Sequence, residues 1–460
     1  MNSRQRAPAL RGVDFGEFVR QRAAAGTLVV QPRMGFDHPR KMRAGLSATK
    51  SAAAATVGTV TLDSYTRLRD DAALADAMAR GRPLNGYPIV AHDPAVTAAM
   101  LAGLYGPDFP VQVRHGSAVP QDIFEALVAL RLNATEGGPV SYCLPYGRTP
   151  LAESVRNWTH CVRRFAELRE EGAEPHLETF GGCLMGQLCP PGLLVAVSVL
   201  EALFFQQHGV RSVSLSYAQQ THAGQDREAV AALRRLCGEL LPAGSWHVVV
   251  YAYMGLYPVT VHGAYRLLGA AAELAVRSGA ERLIVKTVAE SRQIPPIEEN
   301  VAALEFAAAT AARTGRDGRS DAEDSETYQE AAALVHAVLG LGPDLGGALV
   351  RAFERGYLDV PYCVHPDNRG RTRSHLDGEG RLRWADPGAL PLPRHGRTGT
   401  ARRVTSAELH ADLHYVRRAF DGADEERVAL TGGSAPVPAQ DGLAGGSPEI
   451  PRAIPRAEGS

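Results

Sequence analysis

Residues 110–116 read PVQVRHG and residues 130–138 read LRLNATEGG. In each, a short apolar run ends in a charged side chain, Arg114 or Glu136, with glycine close behind. Comparable runs recur along the chain: LVVQPR (28–33), TVTLDSYTR (59–67), PLNGYPIV (83–90), PHLETFGG (175–182), SVSLSYAQQ (212–220), HVVVYAY (247–253) and LIVKTVAE (283–290). Between them lie stretches of helical period such as DIFEALVAL and GLLVAVSVLEALFFQQHG. This alternation predicts repeated βα units around a parallel sheet. Eight units close a (β/α)8 TIM barrel, so at least one of the nine candidate runs must be irregular or lie outside the ring, the Asn85-Gly86 segment being one candidate. A doubly wound open sheet is the alternative.

The expected organisation is an N-terminal arm (1–27), the barrel with a substrate site (28–312), a C-terminal α+β appendage (313–424) and a disordered tail rich in Gly, Pro, Ala and Ser (425–460). The polar stretch GRDGRSDAEDSET (315–327) is expected to be an exposed loop.

The 460 residues are 45% hydrophobic and carry 49 basic against 50 acidic groups, which disfavours a basic nucleic-acid binder and permits a sizeable core. No apolar run approaches the roughly 18 residues that a membrane span needs, and MNSRQRAPALRG does not have the pattern of a secretory signal. The chain is expected to be soluble and cytoplasmic. Its six cysteines are too few for a disulfide scaffold and form no CxxC pair, so they read as reduced thiols. Only Lys41, Lys50 and Lys286 are lysine, against 46 arginines, so an arginine here is weak evidence of chemical need and a lysine somewhat stronger.

Several common motifs are absent. GLGPDLGG has Leu345 where a dinucleotide fingerprint needs its third glycine, and GLSATKS has Thr49 where a P-loop needs glycine. His410 and His414 stand at i, i+4, but Ala411 replaces the zincin glutamate, and no metal site is expected.

The strand ends carry Arg33, Arg67, Arg114, Glu136, Glu178, Tyr217 and Lys286. In a parallel barrel all of these ends open on one face and can converge on one pocket. Arg33, Arg67 and Arg114 suit a small substrate with more than one carboxylate, because each guanidinium fork holds a carboxylate in a bidentate arrangement. Glu136, beside Gly137-Gly138, is placed to accept from a substrate ammonium or to act as a base. Tyr142 and Tyr146 of SYCLPYG offer hydroxyls. For Lys286 the residues leave two readings open, an ion pair with Glu290 at a helix start or a Schiff-base lysine.

Taken in order, QPRMG, DSYTR, LNGYP, VRHG, NATEGG, VSYCLPYG and IVKTVAES resemble the large (epsilon, or E) subunit of glutamate mutase, also called methylaspartate mutase, from about Leu28 to Phe420. The resemblance implies a (β/α)8 barrel that works with a separate cobalamin-binding small subunit, two of each per enzyme. The implied reaction interconverts L-glutamate and (2S,3S)-3-methylaspartate with adenosylcobalamin. In that reaction a 5′-deoxyadenosyl radical takes hydrogen from C4 of glutamate, and the substrate radical fragments to glycyl radical and acrylate before recombining.

Carried over by motif, Arg33, Arg67 and Arg114 hold substrate carboxylates, His115 lines the site, and Glu136 takes the ammonium with Tyr142 and Tyr146 alongside. Gly35, Asn85, Pro145, Tyr257, Lys286, Glu290 and Ile294 match positions that contact the cofactor. That makes a Schiff-base lysine less favoured. None of the 15 histidines lies in Asp-x-His-x-x-Gly, the sequence of domains that bind cobalamin through histidine, so the small subunit is needed. Ala289 and Tyr257 replace a histidine and a phenylalanine of the clostridial members. The alternatives are a related mutase for another small diacid and a non-catalytic barrel that binds an amino acid.

Overall fold

The computed structural model describes residues 13–145, 147–291, 294–315, 324–393 and 402–422. At its centre are eight parallel strands: β1 (Val29–Gln31), β2 (Gly58–Thr61), β3 (Val111–Arg114), β4 (Ala134–Gly137), β5 (His176–Thr179), β6 (Ser212–Ala218), β7 (Trp246–Tyr251) and β8 (Arg282–Ile284). Sequence neighbours pair from β2 to β8, and β8 pairs with β1. A Val30–Thr56 bridge, with hydrogen bonds from Val30 N–H to the Ala55 carbonyl (2.9 Å) and from Thr61 N–H to the Met34 carbonyl (2.8 Å), joins β1 to β2. The sheet therefore curls into the (β/α)8 barrel that the alternation predicts, and the open-sheet alternative falls. PLNGYPIV is the surplus run: it makes a single bridge, Leu62 to Tyr87, outside the ring. Its two prolines cannot donate to a ladder.

Helices cross over between successive strands. Pro191–Gln207, after β5, is apolar around its whole circumference and buried along most of its length. Such a helix needs cover on its outer side as well. Helices Glu326–Leu339 and Leu345–Arg355 supply it, packing onto the outer layer. The antiparallel hairpin β9 (Arg373–Leu376) and β10 (Leu382–Asp386) and helices Ser406–Leu413 and Tyr415–Asp421 complete the α+β appendage. Asp421 accepts the N–H groups of Val259 (2.9 Å) and Thr260 (3.0 Å), which ties the last helix to the loop after β7. Among the described residues no helix is long and apolar enough to cross a membrane. The stretch read as a disordered tail lies outside the described residues.

The helix Phe15–Ala24, within the stretch read as an arm, packs against the N-terminal end of the barrel. Asp14 caps it by accepting Glu17 N–H at 2.8 Å. Its apolar positions Phe15, Phe18 and Val19 follow helical spacing and meet Val29, Val57 and Ala134. Phe15 is fully buried, its ring centroid 5.0 Å from that of His176 and 5.0 Å from the guanidinium carbon of Arg282. Phe15→Ala should cost about 3–5 kcal/mol of stability, as large-to-small core substitutions of aromatics do, read as a lower urea midpoint at unchanged slope. A loss below about 1 kcal/mol would show that this helix does not seal the barrel.

Candidate active site

Side chains alternate along each strand, so one set from every strand faces the barrel axis. In β6, Ser212 and Ser214 face inward, where His176 and Glu178 meet them, whereas Tyr217 faces outward and donates to Asp226 at 2.8 Å. Tyr217 was expected at the mouth; the alternation sends it to the helix layer instead.

Register sets Glu136 of β4 beside Glu178 of β5, and Glu178 beside Ser214. Arg114, the last residue of β3, is 4% exposed, and its Nε donates to Glu136 Oε2 at 2.7 Å. Its Nη2 donates to the Tyr251 hydroxyl at 3.2 Å, and Tyr142 donates to the other Glu136 oxygen. Burial opposes the charge on Arg114, but Glu136, Tyr251 and Tyr142 more than offset it and hold the guanidinium protonated.

A second pair lies deeper. Arg282 is wholly buried and donates to Glu178 and to Gln31. Glu178 also accepts from Gln112 (3.2 Å), Ser214 (3.0 Å) and Tyr251. Burial works to raise the Glu178 carboxyl, yet Arg282, Tyr251 and Arg114 hold it below its ordinary value. Glu178 was also expected at the mouth; it is spent on this inner pair.

His115 stacks on Trp158 with centroids 5.8 Å apart and meets the edge of Tyr142. Burial, helped by nearby Arg67, pushes the imidazole down to about 3, so it is neutral at physiological pH. Its Nδ1 accepts Ser117 N–H at 3.3 Å, which puts the ring proton on Nε2, buried and with no partner among the described residues. Arg67 is half-buried and donates from Nε to the Asp63 carbonyl at 3.3 Å; it makes no ion pair among the described residues. The Asp63 carboxylate is already used in capping Thr66 N–H at 2.9 Å.

Arg114, His115, Glu136, Tyr142 and Arg67 are thus brought together. Arg33 is half-buried just past β1. Lys286 and Tyr257 form a separate group, both buried, with Nζ 4.5 Å from the ring centroid. Gly35 is buried against the backbone of Thr61, Pro145 is half-buried and Ile294 is 44% exposed. Asn85 is exposed, and its side-chain carbonyl accepts Ser64 N–H at 2.9 Å. Tyr146 and the side chain of Glu290 lie outside the described residues.

The loop after β4 is held by a residue that the sequence reading missed. Glu201, in the apolar helix Pro191–Gln207, accepts Val140 N–H (3.2 Å), Ser141 N–H (2.9 Å) and Ser141 Oγ–H (2.9 Å). A Cβ on Gly138 would lie 2.0 Å from this carboxylate, and one on Gly137, at φ +132°, 2.5 Å from Trp158 and Tyr142. The Gly-Gly pair is therefore a steric need. The sequence signal for Glu201 is a lone acid on a helix apolar all round. Burial pushes Glu201 up to about 7. The folded chain holds this proton more tightly than the unfolded chain, so the associated stability is present below about pH 4.5 and is lost as pH rises through about 7. Glu201→Gln should therefore make thermal stability fall less between pH 5 and pH 8 than it does in the wild type. An unchanged pH slope would contradict this.

Fold and site define a class: a parallel βα barrel whose strand C-termini bring arginines, a carboxylate and hydroxyls together. Comparison with known proteins makes the assignment specific. The chain belongs to the methylaspartate mutase E chain (MutE) family, whose model matches residues 11–409. It is 33% identical over 352 residues to the glutamate mutase epsilon subunit of Yersinia enterocolitica, covering 73% of this chain and 72% of that one. It is 29% identical over 442 residues to the Desulfitobacterium hafniense epsilon subunit, covering 91% and 86%.

Proposed function

We infer that this chain is the substrate-binding large subunit of an adenosylcobalamin-dependent glutamate mutase, an isomerase acting on L-glutamate and (2S,3S)-3-methylaspartate. It works with a separate cobalamin-binding small subunit, two large with two small. Membership of the MutE family supports the reaction class. The observation that carries the substrate is the buried Arg114–Glu136 pair, with Arg67 close to the adjoining His115.

A buried ion pair is costly to break unless each partner is paired again. An α-amino acid meets that condition, because its carboxylate replaces Glu136 on Arg114 while its ammonium replaces Arg114 on Glu136. Arg67 and Arg33 then serve the second carboxylate, and the Nε2–H of His115 is a neutral donor to the same ligand. Tyr142 supplies a hydroxyl beside Glu136, and the sequence resemblance assigns Tyr146 to the same substrate. With two carboxylates and an ammonium held, fragments of a broken carbon skeleton stay in reach of each other. The enclosing barrel keeps water from reactive species.

The residues assigned to the cofactor fit a large amphipathic group. Lys286, buried over the Tyr257 ring, would supply a cation, and Ile294, 44% exposed, an apolar surface. Gly35, Asn85, Pro145 and Glu290 complete the set. Bound adenosylcobalamin would supply the radical that removes and returns a substrate hydrogen.

The direct test is to combine the chain with its small subunit, adenosylcobalamin and L-glutamate without oxygen and to follow 3-methylaspartate by NMR. Product that requires both proteins and the cofactor is expected. An assembled, cofactor-bound complex that makes none would contradict the reading. In the same assay Arg114→Lys should lower kcat/KM about 10- to 100-fold, the size of a charge-assisted hydrogen bond of roughly 1.5–3 kcal/mol, because an ammonium cannot replace the fork. Near-normal turnover would remove Arg114 from the site.

A further inference from the structure

Tyr251 ends β7 in HVVVYAY, and no sequence motif marks it. Its hydroxyl nevertheless sits where the two buried ion pairs meet. It accepts from Arg114 Nη2 at 3.2 Å, lies 2.9 Å from Glu136 Oε2 and is hydrogen-bonded to Glu178 Oε1. A phenol has one proton to give, so it serves one carboxylate at a time. Glu178 does not depend on it, since Gln112, Ser214 and Arg282 donate to the same carboxylate. The hydroxyl is therefore free to turn from the lower carboxylate to the upper one while its lone pairs continue to face Arg114.

We propose that Tyr251 is a positioning residue: with its proton given to Glu178, which Arg282 fixes, its hydroxyl accepts from the Arg114 guanidinium and holds it in the orientation that receives an amino acid's carboxylate, beside a Glu136 carboxylate that receives the ammonium. The proposal deepens the functional reading above and rests on it for the identity of the substrate. When the ligand separates Arg114 from Glu136, the hydroxyl remains an acceptor for the first and becomes a donor to the second. Neither group then has to find its bound rotamer unaided.

The test uses Tyr251→Phe in the full chain with its small subunit, a change that keeps the ring and removes one oxygen. KM for L-glutamate should rise about tenfold or more, with kcat within about threefold of wild type, the pattern expected when binding common to ground and transition states is lost. Tyr217→Phe removes a comparable buried hydrogen bond on the outer side of β6 and should leave KM unchanged. A crystal structure of ligand-free Tyr251→Phe should show the Arg114 side chain displaced from Glu136. An unchanged KM together with an unmoved Arg114 would overturn the proposal. If the wild-type complex does not convert L-glutamate, the functional reading fails, and the position of Arg114 in the Tyr251→Phe crystal decides the proposal by itself.

Discussion

Two arginine–glutamate pairs, Arg114–Glu136 and Arg282–Glu178, stand one above the other inside a barrel that excludes water, with the Tyr251 hydroxyl between them. Removing four charges from water is costly, and only close pairing with additional hydrogen bonds offsets it. Each carboxylate is accordingly surrounded by donors: Glu136 by Arg114 and Tyr142, Glu178 by Arg282, Gln112, Ser214 and Tyr251. The barrel interior is therefore polar along one column, and the strands that build it must interrupt their apolar runs to supply it.

The surrounding elements follow from that column. At the base, Phe15 covers Arg282 and His176, so the lower pair has no open path to solvent through that end. At the top, Glu201 fixes the Gly138–Ser141 turn and with it Tyr142, the donor to Glu136. The upper pair is thus held from the helix layer, from β7 and from its own strand. Rigidity of this kind is what a site needs if it is to present charged groups at fixed positions to a small ligand.

Much of this was legible in the sequence. Parallel strands buried in a barrel wall are largely apolar, and each needs a crossover helix, so the βα alternation announced the barrel, while the surplus run was legible only through its Asn85-Gly86 segment. Arg114, Glu136 and Tyr142 were legible because strand ends and the loops after them meet at one end of a parallel barrel, and His115 was legible through the family resemblance. Glu178 and Tyr217 depart from the expectation for separate reasons: Glu178 faces inward beside Glu136 but is paired with Arg282, and the two-residue alternation along β6 turns Tyr217 outward. Arg282, Tyr251, Gln31 and Gln112 were missed because their partners are set by barrel closure across the whole fold. A weak signal was present in the polar residues spaced by two within VQVR, HLET and SVSLS. The helix Phe15–Ala24 carries apolar i, i+3, i+4 spacing within the stretch expected to be only an N-terminal arm.

The central claim is that the lower pair is a coupled unit on which the site rests. A double-mutant cycle over Glu178→Leu and Arg282→Met, read by urea unfolding, tests it most directly. Each single change should cost about 3–5 kcal/mol, because it strands a buried charge, and the double change should cost clearly less than their sum. Additive losses would show that the two residues do not form the unit described.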